Sequence, residues 1–436
     1  MLQNMSDGFD WPNFEGVTSE LRITAAQIEP DLIDLPWSFP LDTWPEDLIA
    51  ALPRGISRHV VRFVRLGGKK IIAVKEIAET VAFREYELLR NLEKLDLPTV
   101  LPTAVVTGRI DQTGKPLNAC LITDHLPHSL PYRAVIGRDH RQAAVQRLID
   151  ALAVLMVRLH LAGFFWGDVS LSNTLFRRDA GSFAAYLVDA ETGELFDPIT
   201  DGKRAYDIDV ARTNIIGELM DLIAGAVLPE DFDAIAVGDY FERRYHELWD
   251  EVTAVTTIGQ GEKWKVTERV NRLNDLGFDV DELSITTRPG EKQLRIRPKI
   301  VEAGHYARKV ERLTGLTVEE NQARRILNDI GEYAVTHQLE QSSELTIAHA
   351  WLRDVYEPTL AAIPKELAGR LEAAEIFHEI LEHRWFISEQ QGRDVPQREA
   401  VRSFVDNILR HHRDEAALLG GSEAEPDSIA AISDND

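Results

Sequence analysis

A single cysteine, Cys120, in 436 residues excludes an internal disulfide and a cysteine-based zinc site, and it fits a reducing compartment. Positive charge is also scarce. Against 72 aspartates and glutamates stand only 48 lysines and arginines, a formal net charge of −24. That balance excludes a general affinity for nucleic acid or anionic membrane, because backbone binding to a polyanion relies on a basic surface and released counterions. Long apolar runs are missing too: the longest, Leu148 to Trp166, is interrupted by Asp150, Arg158 and His160. It predicts a buried helix and no membrane span. Met1 to Asp7 lack the basic start and apolar run of a secretory signal, so a cytoplasmic location is expected. There is no internal repeat.

What is present is an ordinary apolar content over a length that predicts two or three packed units. Residues 1 to about 35 read as loop and short helix, with a further helix expected over Trp44 to Leu52 and no strand evident before Pro53. Val- and Ile-rich strands follow over His59 to Leu66 and Lys70 to Ile77, joined by Gly67-Gly68, which supply the positive φ a tight hairpin needs. Val81 to Leu95 is amphipathic at helical spacing, Val100 to Gly108 and Ala119 to Thr123 read as strands, and Arg141 to Leu161 as a long helix. Thr174 to Arg178 and Phe183 to Val188 flank the turn-rich Asp179 to Ser182. Beyond Gly259 the pattern is a helix over Trp264 to Asp275, a hairpin of Leu283 to Thr287 and Leu294 to Ile300, and helices to about Leu419. Thr317 with Glu320 has a capping-box pattern, and Ser342 and Ser343 precede the helix containing Trp351. Gly420 to Asp436 is rich in Gly, Ser and acidic residues and is expected to be disordered.

The chemistry concentrates in Leu159 to Asn173, with Leu187-Val188-Asp189 one hairpin later. Phosphoryl transfer needs a carboxylate near the attacking hydroxyl, and an amide and a second carboxylate to hold the Mg²⁺ that neutralises phosphate charge. Asp168, Asn173 and Asp189 can fill those roles. Lys75 ends the apolar run Ile71 to Val74, and ten residues on Glu85 lies on the amphipathic helix above Leu88, Leu89 and Leu92. Such a pair fixes a lysine against nucleotide phosphates. Glu87 competes for the same partner, but it lies about 200° away around the helix. From Arg54 to Lys75 there are seven basic residues and no acidic one. Either Pro53 to Arg58 forms a phosphate-facing loop, or this is a solvated basic hairpin.

On Lys75, Glu85, the Leu159-His160 to Asp168 run, Asn173 and Asp189, residues 54 to 225 resemble the protein-kinase-like superfamily, especially its lipopolysaccharide-kinase and aminoglycoside-phosphotransferase-like branch. The chain also resembles an actinobacterial family, domain of unknown function 4032, through Leu35-Pro36-Trp37, Arg54 to Val61, Gly167-Asp168 and Phe377 to Trp385. The resemblance implies an α+β fold: a bilobal kinase-like unit with an appended, mostly helical C-terminal region containing a β-hairpin. The implied division is 1–53 extension, 54–125 N-lobe, 126–258 C-lobe, 259–419 C-terminal domain and 420–436 tail. It implies ATP and Mg²⁺ as cofactors, Asp168 as catalytic base or hydroxyl-orienting residue, and Asn173 and Asp189 as metal ligands. Lys75, Glu85, Gly55, Ser57 and Arg58 would serve the phosphates, and Leu121 to Leu126, with Asp124 and Leu126, would form the hinge at the adenine. His160 is implied to be structural, and Asp207 or Asp209 to brace the catalytic loop.

The sequence departs from protein kinases in four ways. Gly55 alone stands where several loop glycines are usual, Trp166 replaces a histidine, Asp189-Ala190-Glu191 replaces Asp-Phe-Gly, and Gly167 replaces the arginine that reads loop phosphorylation. A bulky Trp opposite a small Ala conserves the volume of a His and Phe pair, and control by loop phosphorylation is not expected. His378 to His383 imitates a zinc-protease motif, but its histidines are five apart, about 140° around a helix, so no metal is expected there. Arg288, Lys292, Arg295, Arg297 and Lys299 form either a solvated strand face or a contact for an acidic substrate or the kinase-like unit. Trp351, Trp385 and Phe386 are expected in the core. The expected activity is phosphate transfer from ATP to a hydroxyl acceptor, which could be a small molecule, a glycan or lipid head group, or a protein. The alternatives are a nucleotide-binding pseudokinase recruiting a protein partner through its C-terminal helices, and transfer of AMP.

Overall fold

The computed structural model describes residues 20–26, 29–50, 52, 59–67, 70–137, 142–254, 256–258, 264–275, 278–286, 294–412 and 415. It is a mixed α/β structure whose N-terminal region is built on a sheet and whose C-terminal region is mainly helical. Strands β1 (Arg22–Ala25), β2 (Val60–Leu66) and β3 (Lys70–Ile77) are followed by helix α1 (Glu79–Lys94), β4 (Pro102–Thr107) and β5 (Ala119–Asp124). The five strands form one antiparallel sheet in the order β1-β4-β5-β3-β2. β1 is a strand where the sequence suggested none. It is short and mostly exposed, and its pairing with β4 defines it more than its own pattern does.

Period-2 alternation gives this sheet two buried faces. Ile72 and Val74 of β3 pack with Val64, Val106 and Ile122 beneath Leu32, Leu35, Trp37, Leu41 and Trp44 of the N-terminal segment. Ile77, two residues on from Lys75, faces the other way, into the core shared with Tyr86 and Leu89 of α1. Arg109, fully buried, ties the N-terminal segment down by donating to the main-chain oxygens of Trp37 (3.1 Å) and Phe39 (2.6 Å) and to Glu76 (2.7 Å). The helix expected over Trp44 to Leu52 does not form. Trp44 precedes a proline and is extended (ψ 144°). The chain after it pairs with the open edge of β2 instead, with Ala50 N donating to Phe63 O (2.8 Å) and Arg65 N to Leu48 O (2.9 Å).

Beyond the sheet come β6 (Ser129–Pro131), α2 (Tyr132–Ile136), α3 (Gln142–Leu161), β7 (Phe164–Phe165), β8 (Thr174–Asp179), β9 (Ser182–Leu187), β10 (Glu194–Leu195), α4 (Asp201–Ala224) and α5 (Ala234–Thr253). α3 is buried along most of its length, and no described helix is long and apolar enough to cross a membrane. One apolar core runs from Ile77 through α3 and the β8–β9 hairpin to Val252.

Next are β11 (Thr256–Ile258), α6 (Trp264–Asp275), and the antiparallel pair β12 (Phe278–Thr286) and β13 (Leu294–Ala303). Arg288 and Lys292 lie outside the described residues, as do the side chains of Arg295, Arg297 and Lys299. The chain ends in α7 (His305–Thr314), α8 (Glu320–Thr336), α9 (Glu344–Trp351), a π-helical turn Leu352–Tyr356, α10 (Glu357–Ala361), α11 (Ala373–Gln391) and α12 (Gln397–Asn407). Ser343 caps α9 through the N–H of Thr346 (3.2 Å). The α8 cap sits two residues later than the Thr317 pattern implied. Glu319 N donates to Gln322 Oε1 (3.1 Å), while Gln322 N donates to Asp179 of the β8–β9 hairpin (2.8 Å). A carboxylate from another part of the fold thus serves the helix start, where the dipole favours negative charge. Trp351 is buried, but Trp385 and Phe386 are 66% and 57% exposed, contrary to the core placement expected for them. Adjacent residues on a helix point about 100° apart, and α11 buries the face of Ile376, Phe377, Ile380 and Ile387 instead.

Candidate active site

Lys75 lies on a central strand, paired with Val61 of β2 and Leu121 of β5, so its backbone is fixed on both sides. Its Nζ meets Glu85 Oε2 of α1 at 3.1 Å, Asp189 Oδ2 at 2.8 Å and Glu191 Oε2 at 3.1 Å. Glu85 is 1% exposed, whereas Glu87 faces solvent beside Arg90. Burial would lower the Lys75 pKa, yet attraction from Glu85 and Asp189 outweighs it and holds the ammonium above its ordinary value. Burial pushes Glu85 up to about 8, and repulsion from Asp189 adds to this against the pull of Lys75.

Asp168 sits in the loop between β7 and β8, where Trp166, Val169 and Leu171 turn into the core. Gly167 adopts φ +81°, a left-handed value that favours glycine. α4 supports the loop backbone from below. Asp207 accepts from Trp166 N (2.8 Å) and Gly167 N (2.7 Å), and Glu218 accepts from Leu171 N and Ser172 N (2.8 Å each). Asn214 Nδ2 donates to Val169 O (2.8 Å). Of the two aspartates considered as braces, Asp207 is the one beneath the loop. It also meets His160 Nε2 (3.1 Å), and the other imidazole nitrogen of His160 contacts the Tyr245 hydroxyl (2.7 Å). Burial keeps His160 below its ordinary pKa. Asn214 and Glu218 escaped the sequence reading. Their signal is spacing, since steps of seven and eleven residues from Asp207 return to within about 20° of the same helix face.

Asn173 and Asp189 come to the same end of the hairpin because β8 and β9 pair, with Thr174 opposite Leu187 and Val188 N donating to Asn173 O (3.1 Å). Asn173 Nδ2 donates to Asp168 O (3.0 Å) and Oδ2 (3.3 Å). The Trp166 indole N–H donates to the main-chain oxygen of Asp189 (2.8 Å), a link from the Asp168 loop to the backbone of the second acidic residue that volume matching alone did not anticipate.

Lys75, Glu85, Asp168, Asn173 and Asp189 line a cavity of about 960 Å³ that also reaches Asp124, Leu126 and the α4 residues Asn214, Glu218 and Asp221. The Asp124 carboxylate accepts from Thr103 Oγ1 (2.5 Å) and pairs with Lys70 (3.1 Å), so it secures the strand end. Gly55, Ser57 and Arg58 lie outside the described residues. Glu191, which the sequence reading passed over, is brought into the cavity beside Lys75 and within 3.2 Å of His59 Nε2. Among the described residues, Glu85, Asp189 and Glu191 form the one group whose ligand atoms lie close enough to share a metal ion, within 4.8 Å of one another. His378 and His383 do not join such a group. His383 Nε2 contacts Ser403 (2.9 Å), and His378 is buried at the hairpin tip.

A lysine–glutamate pair, a braced aspartate, an asparagine and a second aspartate around one cavity call for comparison with phosphotransferases. Residues 69–212 match the lipopolysaccharide kinase (Kdo/WaaP) family. That span contains Lys75, Glu85, Asp168, Asn173 and Asp189. Residues 247–409 match the domain of unknown function DUF4032, which includes the Phe377 to Trp385 run but not Leu35 to Trp37, Arg54 to Val61 or Gly167-Asp168. No curated protein matches the chain. A solved structure of WaaP in complex with acyl carrier protein is similar at 16% identity, covering 58% of this chain and 99% of its own, with a TM-score of 0.35.

Proposed function

We propose that the chain is an atypical ATP- and Mg²⁺-dependent phosphotransferase acting on a hydroxyl acceptor. In this reading residues 54–125 and 126–258 are the two lobes of a kinase-like unit, and 259–419 are appended to it. The supporting observation is the convergence of Lys75–Glu85, Asp168, Asn173 and Asp189 on one cavity within the kinase-matching span. The donor set suits magnesium: carboxylates of Asp168, Asp189 and Glu191 and the Asn173 side-chain carbonyl offer only oxygen, the preference of a hard cation. Asn173 and Asp189 would hold the ion, which would supply positive charge against the phosphates. Lys75, kept cationic by its carboxylates, contacts the nucleotide phosphates. Asp168 orients the acceptor hydroxyl and takes its proton as that oxygen bonds to the γ-phosphorus and the bond to the β-phosphate oxygen breaks. The Asp207, Asn214 and Glu218 bonds fix the loop so that Asp168 needs no reorganisation, which is how positioning lowers a barrier.

A second reading is a nucleotide-binding pseudokinase scaffold. It is favoured by the extra Glu191 contact on Lys75 and by Trp385 and Phe386, exposed side by side on α11 where a protein partner could dock. Calorimetry with ATP and Mg²⁺, followed by ADP release over a panel of hydroxylated acceptors, separates the two. The enzyme reading expects binding and turnover, with Asp168→Ala slowing transfer by about two to four orders of magnitude. Binding with no turnover on any acceptor favours the scaffold. Mass analysis of the product distinguishes phosphate from AMP.

A further inference from the structure

Asp207 holds the loop above it, and the contacts that hold Asp207 in turn do not stop at His160. Four side chains stand in series: Asp207 Oδ2 meets His160 Nε2 (3.1 Å), His160 Nδ1 meets the Tyr245 hydroxyl (2.7 Å), and that hydroxyl meets Arg204 Nη1 (3.3 Å). His160 lies on α3, Asp207 and Arg204 on α4, and Tyr245 on α5. Asp207, His160 and Tyr245 are each 2% exposed or less, so their polar atoms must be served by neighbours.

Donor and acceptor chemistry gives this series one direction. A carboxylate only accepts, and Asp207 already accepts from Trp166 N and Gly167 N, so the hydrogen shared with His160 is carried by Nε2. A neutral imidazole protonated at Nε2 presents Nδ1 as an acceptor, and the Tyr245 O–H donates to it. The Tyr245 oxygen then accepts from Arg204, which has only donors to offer. An imidazolium donating at both nitrogens would instead leave the Tyr245 hydrogen facing only donors. Burial acts in the same sense. It keeps His160 below its ordinary pKa and pushes the Tyr245 phenol up to about 12, so the ring stays neutral and the phenol keeps its hydrogen. The outer end is anchored as well: Tyr245 stacks on Trp249 (planes 15° apart), and Arg204 lies over the Trp249 ring (3.9 Å) while pairing with Asp201 (2.7 Å).

We infer that Tyr245 is a positioning residue for the Asp168 loop: by donating to His160 it fixes the imidazole tautomer and ring plane that keep Asp207 against the Trp166 and Gly167 N–H groups. The inference rests on the reading of Asp168 as the group that orients the acceptor hydroxyl. None of Arg204, Tyr245, His160 and Asp207 lines the cavity, so the effect on Asp168 passes entirely through the loop backbone.

The test compares wild type, Tyr245→Phe and Tyr240→Phe as full chains. Tyr245→Phe keeps the ring stacked on Trp249 and removes only the hydroxyl. Tyr240→Phe is the control, since it removes a hydroxyl of the same helix that bonds Asp150 (2.7 Å). Nitrogen-15 NMR of histidine-labelled wild type, with His160 assigned by its Overhauser contacts to the Tyr245 ring (5.4 Å between centroids), should show a neutral imidazole protonated at Nε2. Amide hydrogen exchange at Trp166 and Gly167 should be at least tenfold faster in Tyr245→Phe than in wild type, and unchanged in Tyr240→Phe. A merely structural role would speed exchange throughout α3 and α5 and leave the loop no worse than its surroundings. ADP release from ATP and Mg²⁺, with water as the acceptor, should fall about tenfold or more in kcat in Tyr245→Phe, because a misplaced reacting group costs rate. The KM for ATP should stay unchanged, because the Lys75 end of the cavity is untouched. An Nδ1–H tautomer or an imidazolium in wild type overturns the inference whatever the variants do, and so do equal exchange rates at Trp166 and Gly167 in wild type and Tyr245→Phe. Tautomer and exchange are read without nucleotide, so a chain that shows both expected results and transfers phosphate to no acceptor refutes the proposed activity and leaves Tyr245 as the residue that sets the loop. ADP release at the wild-type kcat in Tyr245→Phe does the reverse.

Discussion

Single residues divide into those whose chemistry announces itself and those whose role is given by a neighbour. Lys75, Glu85, Asp168, Asn173 and Asp189 were legible because charge or amide chemistry at fixed spacing has few other uses. Glu191 was not, since an acidic residue in a chain this acidic carries no signal until the fold turns it toward Lys75. Asp207 could not be told from Asp209 until the loop above it was seen. Fully buried, it accepts from two loop N–H groups and contacts His160. Asp207→Ala leaves those donors unpaired in the core, at roughly 1–3 kcal/mol each. A fall in stability of that order, measured by chemical denaturation, is therefore expected, with Asp209→Ala, on the outer face of α4, close to neutral. Equal effects from the two substitutions would contradict the assignment.

Elements were legible where periodicity was strong. Lys70 to Ile77 and Val60 to Leu66 alternate as strands should, and α1 and α3 carry clear apolar faces. Tertiary pairing overrode local preference at Leu48 to Ala50, drawn to the β2 edge, and at α8, whose start is capped by Asp179. That cap belongs to a polar seam whose partners lie far apart in the chain and carry no local pattern. Arg177 pairs with Glu319 (2.9 Å) and Glu372, Arg178 with Glu415 (3.0 Å), and Ala180 N donates to Glu375 (3.0 Å). The seam fastens the tip of the β8–β9 hairpin, whose open end carries Asn173 and Asp189, to the C-terminal helices. Burial, with repulsion from Glu319, pushes Asp179 up to about 7, and burial, with repulsion from Glu375, pushes Glu379 up to about 7. Between about pH 4.5 and 7 the folded chain therefore holds protons that the unfolded chain has released, so these groups make stability fall as pH rises through that window and level off above it. Glu379→Gln removes its share, at most about 3 kcal/mol. The midpoint of thermal unfolding should drop less between pH 5 and pH 8 in this variant than in wild type. An unchanged drop would show that Glu379 titrates normally.

At the scale of the whole molecule, the acidic composition argues against a general affinity for nucleic acid but says nothing of where the positive charge that remains is spent. Some of it is internal: Lys75, Arg109, Arg177 and Arg178 each bind carboxylates at partly or fully buried positions. The sheet is covered on one face by the N-terminal segment and on the other by the core that continues into α3, so the cavity opens between the sheet and the braced loop. Phosphate transfer in this cavity is the proposal on which the other roles depend. Its most direct test is to incubate the full chain with Mg²⁺ and ATP labelled in the γ-phosphate, together with a pool of hydroxylated small molecules, glycans, lipids and proteins, and to follow where the label goes. Label is expected on an acceptor other than water in wild type, and should be lost in Asp168→Asn and Lys75→Met. Label that stays in ATP, or that reaches the same products at the same rate in all three proteins, would contradict it.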